Sequence, residues 1–444
     1  MVDARSWGER DAAVVWHGFT QMASYLGDEP VIVAAAEGHD LVDVEGRRYL
    51  DAISSLWVNT LGHRVPELDD ALRAQLDRVA HSTLLGNGNQ VVVELAEALA
   101  AVVPVDGPHF LFASDGAAAV EQTLKIAFQF WANQGERDRT GYVALGQAYH
   151  GDTMGGLSLG DGGFGTDVFD PLRFGPFADA GGSRVVRGPG YDDPAALARA
   201  AELVDRHGPR LAAVVVEPLV QGAAGMLVAD PGGYGPLVEA CRRQDVLLVC
   251  DEVATGFGRT GTLFASERCG LRPDLMVVGK GLTGGYLPMS ATVASDRVHQ
   301  AFLGPDLSER TFYHGHSYSG NALAAAVALR HLALYDEWDV LAGVRARSAR
   351  LAALCAERLA PLPTVADVRL CGLMGGVELA PPGEDLGWGR RVCAAAVRRG
   401  VLLRPLGDVV VLMPPLNVTD DELERIVDTL VEAIAEVAAG RDGR

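Results

Sequence analysis

Three apolar runs of strand length, each followed at once by a polar or glycine residue, constrain the fold of this chain more than any other feature. The runs, with the residues that follow them, are Leu211–Val216 with Glu217, 246–250 with Asp251, and Leu275–Val278 with Gly279 and Lys280. Parallel strands that are buried on both faces form such continuous runs, whereas half-exposed strands alternate apolar and polar residues. Stretches with helical periodicity separate the runs between about residues 65 and 335. The pattern predicts an α/β fold in which helices cover both faces of a mostly parallel sheet.

The rest of the chain divides around this segment. The first 64 residues mix short strand-like pieces with turn residues, and residues 336–444 carry two amphipathic helical patterns and three strand-like runs. We therefore predict a large domain at 65–335 and a smaller α+β domain at 336–444, with residues 1–64 as an N-terminal segment of the smaller domain.

Three chemically active side chains follow the predicted strands. Ligands of open α/β sheets bind beyond the carboxyl ends of the strands, so Glu217, Asp251 and Lys280 should meet at one edge. Residues 114–117 (SDGA) lead into a predicted helix at 118–131, and residues 314–320 (HGHSYSG) lead into another. The backbone N–H groups of such helix starts can bind an anion. The two histidines of 314–320 lack a third ligand nearby, so we predict no metal site there.

Lysine is almost absent from the chain. Only two of the 38 basic residues are lysine, Lys125 and Lys280. A guanidinium stays protonated, whereas a lysine amine can be deprotonated and act as a nucleophile or base. Lys125 lies off the apolar stripe of its predicted helix, so we interpret it as a structural ion-pair partner. Lys280 is therefore the candidate for amine chemistry.

Net charge and cysteine pattern exclude several classes of function. The formal net charge is −20, which disfavours binding to nucleic acid or to anionic lipid. No apolar run reaches the length of a membrane span, and the first residues do not resemble an export signal. The six cysteines form no C-x-x-C pair, as expected for reduced thiols, so we predict a cytoplasmic protein.

Three segments resemble the class III pyridoxal-phosphate aminotransferases of fold type I. They are 217–222 (EPLVQG), 251–261 (DEVATGFGRTG) and 280–285 (KGLTGG), and the resemblance extends over nearly the whole chain. It implies the fold of that family, with a large domain and a smaller α+β domain. It also implies pyridoxal 5′-phosphate as cofactor, small-molecule substrates consisting of a keto acid and an amino donor, and a homodimer with shared active sites.

The resemblance assigns roles to individual residues. It makes Lys280 the Schiff-base lysine, Asp251 the partner of the pyridinium nitrogen and Tyr149 the residue that stacks on the ring. The alternative for Asp251 is a cap of the following helix. The remaining cofactor-binding residues are Gly116, Ala117 and Glu217, with His316 and Ser317 from the other subunit. The substrate-binding residues are Phe19, Trp57, Arg259, Gly315 and Arg404, of which Arg404 would bind the substrate carboxylate as a bidentate fork. The alternative for both arginines is an ordinary surface charge.

Further segments are most similar to the branch of the family that aminates 8-amino-7-oxononanoate in biotin biosynthesis. They are 16–17 (WH), 54–57 (SSLW), 149–153 (YHGDT), 403–405 (LRP) and 413–415 (MPP). The amino donor stays open between S-adenosylmethionine and L-lysine. Phe19 lacks a hydroxyl that one branch has at this position, and Leu56, His316 and Ser317 favour lysine.

Three alternative functions compete with the interpretation as an aminotransferase of 8-amino-7-oxononanoate. One is another class III transaminase, acting on an ω-amino acid or a diamine in secondary metabolism. Another is a decarboxylase or racemase on the same fold. The third is a non-catalytic binding module, against which the intact set of Glu217, Asp251 and Lys280 argues.

Overall fold

The structure is a computed structural model that describes residues 6–28, 30–161, 165–176, 183–381 and 387–440. Its strands are β1 Val33–Glu37, β2 Asp40–Asp43, β3 Arg48–Asp51, β4 His109–Ala113, β5 Gly141–Ala144, β6 Gly175–Pro176, β7 Ser183–Arg187, β8 Leu211–Val216, β9 Val220–Gln221, β10 Leu227–Val228, β11 Leu247–Asp251, β12 Leu275–Val278, β13 Ser290–Ala294, β14 Val365–Cys371, β15 Met374–Leu379, β16 Val401–Leu402, β17 Arg404–Leu406 and β18 Val409–Leu412. Its helices are α1 Trp7–Ala12, α2 Ser54–Trp57, α3 Pro66–Leu76, α4 Gln90–Ala100, α5 Gly116–Asn133, α6 Met154–Leu159, α7 Ala196–His207, α8 Gly235–Gln244, α9 Ala265–Arg268, α10 Asp296–Gln300, α11 Ala322–Glu337, α12 Val340–Arg358, α13 Trp388–Arg398 and α14 Asp420–Ala438.

An eight-stranded sheet forms the centre of the molecule, in the order β4-β13-β12-β11-β8-β5-β7-β6. Strand β13 is antiparallel to both of its neighbours, and the other seven strands share one direction. The predicted fold, a mostly parallel sheet covered by helices, is therefore confirmed.

Helices cover both faces of the central strands because alternate residues of each strand point in opposite directions. Val215 and Val249 pack into the apolar cluster that contains α5. Val214 and Leu248 pack into the opposite cluster, which contains α7 and α8. Burial on both faces is the physical reason why these strands appear in the sequence as continuous apolar runs.

Three smaller sheets lie outside the central one, and the smallest is the antiparallel pair of β9 and β10. Strands β1, β2 and β3 are antiparallel to one another, and β16 pairs with β3 in parallel, so the N-terminal segment shares a sheet with the C-terminal part of the chain. A second sheet has the order β14-β15-β18-β17 and is antiparallel throughout. The domain boundaries at residues 64 and 335 stay a prediction. Within the described ranges, no helix has the length and apolar character that crossing a lipid bilayer requires.

Candidate active site

The three side chains that follow the central strands meet at one cavity. Strands β8, β11 and β12 are parallel neighbours, so Glu217, Asp251 and Lys280 emerge at the same edge of the sheet. Asp251 is the last residue of β11 rather than the first residue after it, so the predicted strand at 246–250 was placed one residue too early. The cavity has a volume of about 500 Å³ and is called the central cavity below. Its lining residues are Trp57, Asp115, Gly116, Ala117, Tyr149, His150, Gly151, Asp152, Thr153, Glu217, Ala223, Asp251, Val253, Ala254 and Lys280.

Lys280 lies in a strained backbone conformation, separated from the end of β12 by Gly279. Its φ is 40°, a left-handed value that side chains other than glycine rarely adopt. The amine Nζ lies 5.0 Å from the centre of the Trp57 ring. Burial lowers the pKa of this amine, although the carboxylates of Asp251, Glu217 and Asp152 oppose the shift. The neutral form of the amine is therefore more accessible than that of an exposed lysine.

Asp251 is held by a buried histidine. Its Oδ2 lies 2.7 Å from Nδ1 of His150, and its Oδ1 accepts the backbone N–H of Val253 at 3.0 Å. Burial acts to lower the pKa of His150, but the hydrogen bond and charge of Asp251, together with Glu217, raise it above its ordinary value. The raised pKa favours the protonated imidazole, whose Nδ1–H can donate to Asp251 and fix the position of this carboxylate.

Glu217 fixes the backbone beside Tyr149. Its Oε1 accepts the N–H of Tyr149 at 3.2 Å, and its Oε2 accepts the N–H of Gly222 at 3.4 Å. Burial raises the pKa of Glu217 to about 7. Burial and the nearby Asp152, to which the phenol is hydrogen-bonded, also raise the pKa of Tyr149, so its hydroxyl stays protonated near neutral pH.

The N-terminus of α5 opens into the central cavity. Asp115 caps this helix of 18 residues by accepting the N–H of Ala118 at 2.9 Å. The N–H groups of Gly116 and Ala117 precede the first intrahelical bond, so they are free to bind an anion together with the positive end of the helix dipole. A Cβ atom at Gly116 would lie 2.7 Å from Val253, so the close packing of this turn requires glycine.

Trp57 reaches the cavity from an unusual turn. All four residues of α2 have positive φ values, from 46° to 73°, so α2 is a left-handed turn made without glycine. Asp51 stabilises this turn by accepting both the N–H and the hydroxyl of Ser55, at 2.8 and 2.7 Å. His63 contacts the same carboxylate at 3.0 Å. The Trp57 side chain is buried, and its Nε1 has no hydrogen-bond partner among the described residues.

The two predicted substrate-binding arginines differ in environment. Arg259 is fully buried and donates to the carbonyl oxygens of Pro414 at 2.6 Å and Asn59 at 2.8 Å. Burial lowers the pKa of its guanidinium to about 10, so it remains charged at neutral pH. Arg404 is partly exposed on β17. Neither arginine forms an ion pair with a described residue, and neither lines the central cavity.

The remaining predicted residues lie outside the central cavity of this chain. Phe19 is 64% exposed, and Gly315, His316 and Ser317 lie on the segment before α11. Among the residues described here, Ser317 accepts a hydrogen bond through its carbonyl oxygen from His81 at 2.7 Å. The ion pair of Lys125 stays a prediction: its Nζ contacts Nδ1 of His314 at 2.8 Å, and no described carboxylate lies within ion-pair distance of it.

Two residues of this site, His150 and Asp152, were not predicted from the sequence. His150 belongs to the segment 149–153, but its contact with Asp251 joins residues 101 positions apart. Asp152 lies near the Lys280 amine and is hydrogen-bonded to Tyr149. Both follow Tyr149 closely in the chain, and their place in the loop that begins with this cavity residue is the signal in the sequence that indicates them.

Comparison with known proteins gives one family. The class III aminotransferase family, "Aminotransferase class-III", matches residues 23–434. A protein of Nitratidesulfovibrio vulgaris named adenosylmethionine-8-amino-7-oxononanoate aminotransferase is 48% identical, over 98% of this chain and 82% of its own length. A protein with the same name from Geobacter sulfurreducens is 41% identical over 98% of both chains.

Solved structures agree with the sequence relatives. The crystal structure of adenosylmethionine-8-amino-7-oxononanoate aminotransferase from Methanocaldococcus jannaschii superposes with a TM-score of 0.91 at 35% identity, over 97% of this chain and 98% of that one. An amine transaminase from an uncultivated Pseudomonas species, in its PLP-bound form, superposes with a TM-score of 0.85 at 32% identity, over 95% and 98% of the two chains.

Proposed function

The chain belongs to the class III aminotransferases, and from this premise we propose that it transfers an amino group to 8-amino-7-oxononanoate, giving 7,8-diaminononanoate for biotin biosynthesis. It is a pyridoxal-phosphate-dependent aminotransferase, as its family membership shows. The observation that carries the proposal is the meeting of Lys280, Asp251 and the N-terminus of α5 around one cavity, in a chain 48% identical to a relative with that named activity.

The residues of the central cavity fit pyridoxal phosphate. The free N–H groups of Gly116 and Ala117 would hold the phosphate, and the carboxylate of Asp251 would hold a proton on the ring nitrogen. The Lys280 amine would form the covalent link. A volume of about 500 Å³ lies within the usual range for small-molecule sites. When bound, the cofactor supplies an electron sink for negative charge that develops on the substrate carbon beside the amino group.

Lys280 is the residue that moves protons. Its buried amine has a lowered pKa, so a neutral Nζ can accept a proton from substrate and return it. Asp152 and Glu217 lie near this amine, and their negative charge limits the lowering of its pKa, so the protonated form stays accessible as well. Burial beneath Trp57 limits access of water to Nζ during this transfer.

Asp251 and Glu217 hold fixed positions around the reacting atoms. His150 orients Asp251 through a contact of 2.7 Å between its Nδ1 and Oδ2 of the carboxylate. Glu217 accepts the backbone N–H of Tyr149 and thereby positions the segment that carries the Tyr149 ring. We assign Tyr149 to stacking on the cofactor ring.

The proposed keto acid carries a carboxylate at the far end of an apolar chain, which requires an apolar wall and a cation. Trp57 supplies apolar surface beside Lys280. Arg404 has no ion pair within the described part of the chain, so its guanidinium is available to bind that carboxylate. Arg259 adds a second positive charge, which is buried behind the turn that carries Trp57. We place Phe19 and Gly315 in the same substrate pocket, completed by a partner subunit.

We propose S-adenosylmethionine as the amino donor, because the relatives from N. vulgaris and G. sulfurreducens carry adenosylmethionine in their names. Leu56, His316 and Ser317 favoured lysine in the sequence, and the names of these relatives do not support that preference. The donor half of the reaction is separable from the keto-acid half, so the two can be tested independently.

We also propose that the protein is a cytoplasmic homodimer with shared active sites. Exposed aromatic side chains lie in the two segments that we assign to the interface. They are Trp16 and Phe19 near the start of the chain, and Tyr313 and Tyr318 on either side of His316 and Ser317. His316 and Ser317 do not line the central cavity of their own chain, so both are available to line the central cavity of a partner subunit. All six cysteines are free thiols, which agrees with a reducing compartment.

The test uses the purified, cofactor-loaded protein in two halves. Addition of 7,8-diaminononanoate should convert the cofactor and abolish its visible absorbance band, because the product is the amino donor of the reverse reaction. The keto acid should then be aminated with S-adenosylmethionine, and not with L-lysine, as followed by mass spectrometry. Amination with L-lysine would overturn the assignment of S-adenosylmethionine as the donor. Activity confined to other ω-amino acids or diamines would overturn 8-amino-7-oxononanoate as the substrate and indicate a general class III transaminase.

A further inference from the structure

Two histidines and an aspartate form a cluster away from the central cavity. His109 is the first residue of β4, and Asp296 and His299 lie on α10. One nitrogen or oxygen atom from each residue lies within 4.8 Å of the atoms of the other two. The proposed transamination uses none of the three residues.

The fold brings these residues together for identifiable reasons. Strand β4 pairs with β13 so that His109 lies opposite Ala294, two residues before α10 begins. Asp296 and His299 are three positions apart, which places both side chains on one face of the helix. The backbone N–H of Asp296 donates to the carbonyl of Asp106 at 2.9 Å, and a Cβ atom at Gly107 would lie 2.8 Å from the Asp296 side chain. The segment that contains Asp106 and Gly107 therefore packs tightly against Asp296 and fixes its position.

The donor set is that of a transition-metal site. The rings of His109 and His299 stack with centroids 3.7 Å apart and planes inclined by 12°. Nε2 of His109 lies 3.2 Å from Oδ1 of Asp296. Nδ1 of His299 is buried and has no hydrogen-bond partner among the described residues, which is costly unless the atom acquires one. We propose that His109, Asp296 and His299 bind a Zn²⁺ ion, whose remaining position is filled by water.

Binding requires one local movement. The lone pairs of stacked imidazoles are nearly parallel, so the rings must turn apart for their nitrogen atoms to converge on one ion. The side chains of His109 and Asp296 are 42% and 54% exposed, so His109 can rotate about its Cβ–Cγ bond and an ion can enter from solvent. The neighbouring Arg297 already pairs with Asp245 and Asp274, and the net charge of −20 attracts cations to the surface.

The cluster and the central cavity lie at opposite ends of the same strand. His109 begins β4, and the chain reaches the cavity only after Ala113, at Asp115 and Gly116. Five strand residues span about 16 Å. The site is therefore separate from the transaminase site, and its occupancy should leave turnover unchanged.

The experiment titrates the untagged, cofactor-loaded enzyme, treated with chelator and desalted, with Zn²⁺ by calorimetry. It then uses Co²⁺, whose visible spectrum reports coordination. One ion should bind per chain, and His299→Asn and His109→Asn should each weaken binding at least about tenfold. Both variants should retain wild-type transaminase activity and thermal midpoint in the absence of metal. His207→Asn, which removes a histidine of α7, is the matched control and should bind as the wild type does.

Two results would overturn the proposal. One is the absence of a stoichiometric ion in the wild type at micromolar Zn²⁺. The other is equal binding by wild type and by both cluster variants, which would place the ion elsewhere. Loss of activity on addition of Zn²⁺, reversed by His299→Asn, would contradict the separation of the two sites.

Discussion

At the scale of single residues, the amine of Lys280 differs from the guanidinium groups of the chain, because burial lowers its pKa and so favours the neutral form that can act as a nucleophile or base. The chain uses arginine for nearly all its positive charges, and Lys125, the other lysine, contacts His314 rather than the central cavity. Replacement of Lys280 by arginine therefore keeps the charge and removes the chemistry.

Lys280→Arg should fold normally and lose turnover by at least about 10²- to 10⁴-fold, the usual contribution of a residue that transfers protons. Circular dichroism and a thermal scan check the fold, and the visible band of the bound cofactor checks the covalent link. Lys125→Arg is the control and should keep full turnover, since it retains a donor toward His314. Normal activity of Lys280→Arg would remove this residue from the reaction.

Substitution of the two predicted substrate-binding arginines should have different effects: loss of Arg404 should weaken substrate binding, and loss of Arg259 should lower stability. Arg404→Ala should raise the KM for the keto acid about tenfold or more with little change in kcat, because it removes a charge-assisted pair with the substrate carboxylate. Arg259→Ala should instead lower the free energy of unfolding, because the buried carbonyl oxygens of Asn59 and Pro414 lose their donor. Steady-state kinetics and chemical denaturation measure the two effects. An unchanged KM in Arg404→Ala would exclude it from the site.

The residue scale also shows where prediction from sequence stops. Lys280, Asp251 and Glu217 could be predicted because each follows an apolar strand, and parallel strands bring their carboxyl ends to one edge. His150 could not, because its role depends on a contact of 2.7 Å with a residue 101 positions away. Nothing in the local sequence of a histidine specifies which carboxylate it will contact.

At the scale of secondary-structure elements, the left-handed turn α2 stores conformational strain beside the central cavity. Each non-glycine residue in this conformation costs about 1–2 kcal/mol, and Asp51 offsets part of the cost through Ser55. Helix and strand periodicities do not describe such a turn, so it could not be predicted. The buried strands could be, because burial on both faces leaves a continuous apolar run.

Leu56→Gly tests the strain in this turn. Leu56 has a φ of 68° and is 46% exposed, so glycine relieves strain while losing little packing. Leu76→Gly is the control: Leu76 is 60% exposed but ends the right-handed helix α3. Denaturation should show Leu56→Gly to be neutral or stabilising and Leu76→Gly to be destabilising by about 0.5–1 kcal/mol. Equal losses in both variants would contradict strain in α2.

At the scale of the whole molecule, a partly buried ion pair joins the N-terminal and C-terminal parts of the chain. Nδ1 of His39, in the turn between β1 and β2, lies 2.8 Å from Oε2 of Glu422 on α14. Burial opposes both shifts, but the hydrogen bond raises the pKa of His39 and lowers that of Glu422 to about 2. The contribution of His39 to the free energy of unfolding is fully present below pH 6.5, its ordinary pKa, and is lost as the pH rises through its pKa in the folded protein. The contribution of Glu422 is fully present above pH 4.5, its ordinary pKa, and is lost as the pH falls toward 2.

The ion pair should therefore contribute most between about pH 4.5 and 6.5. His39→Gln keeps hydrogen-bonding groups and removes the charge. Urea denaturation across the pH range should show a loss of about 1 kcal/mol in this window, shrinking on both sides. Glu422→Gln should show its loss over the same range of pH but with a larger magnitude, because Oε2 of Glu422 also accepts the N–H of Thr419 at the start of α14, at 2.7 Å. A loss independent of pH would indicate that packing rather than charge joins the ends of the chain.

Shared active sites can be tested by mixing two inactive proteins. Lys280→Ala removes the amine of a chain's own cavity, and Ser317→Asp places a negative charge where the partner's phosphate is proposed to bind. In a dimer with shared sites, one heterodimer site combines both defects and the other is intact. Random re-association makes half of the dimers heterodimers, so the mixture should recover about one quarter of wild-type activity. If each cavity used its own Ser317, every site would carry a defect and the mixture would stay inactive. Recovery after unfolding and refolding the two variants together, but not after mixing the folded proteins briefly, would show that exchange of subunits restores the site.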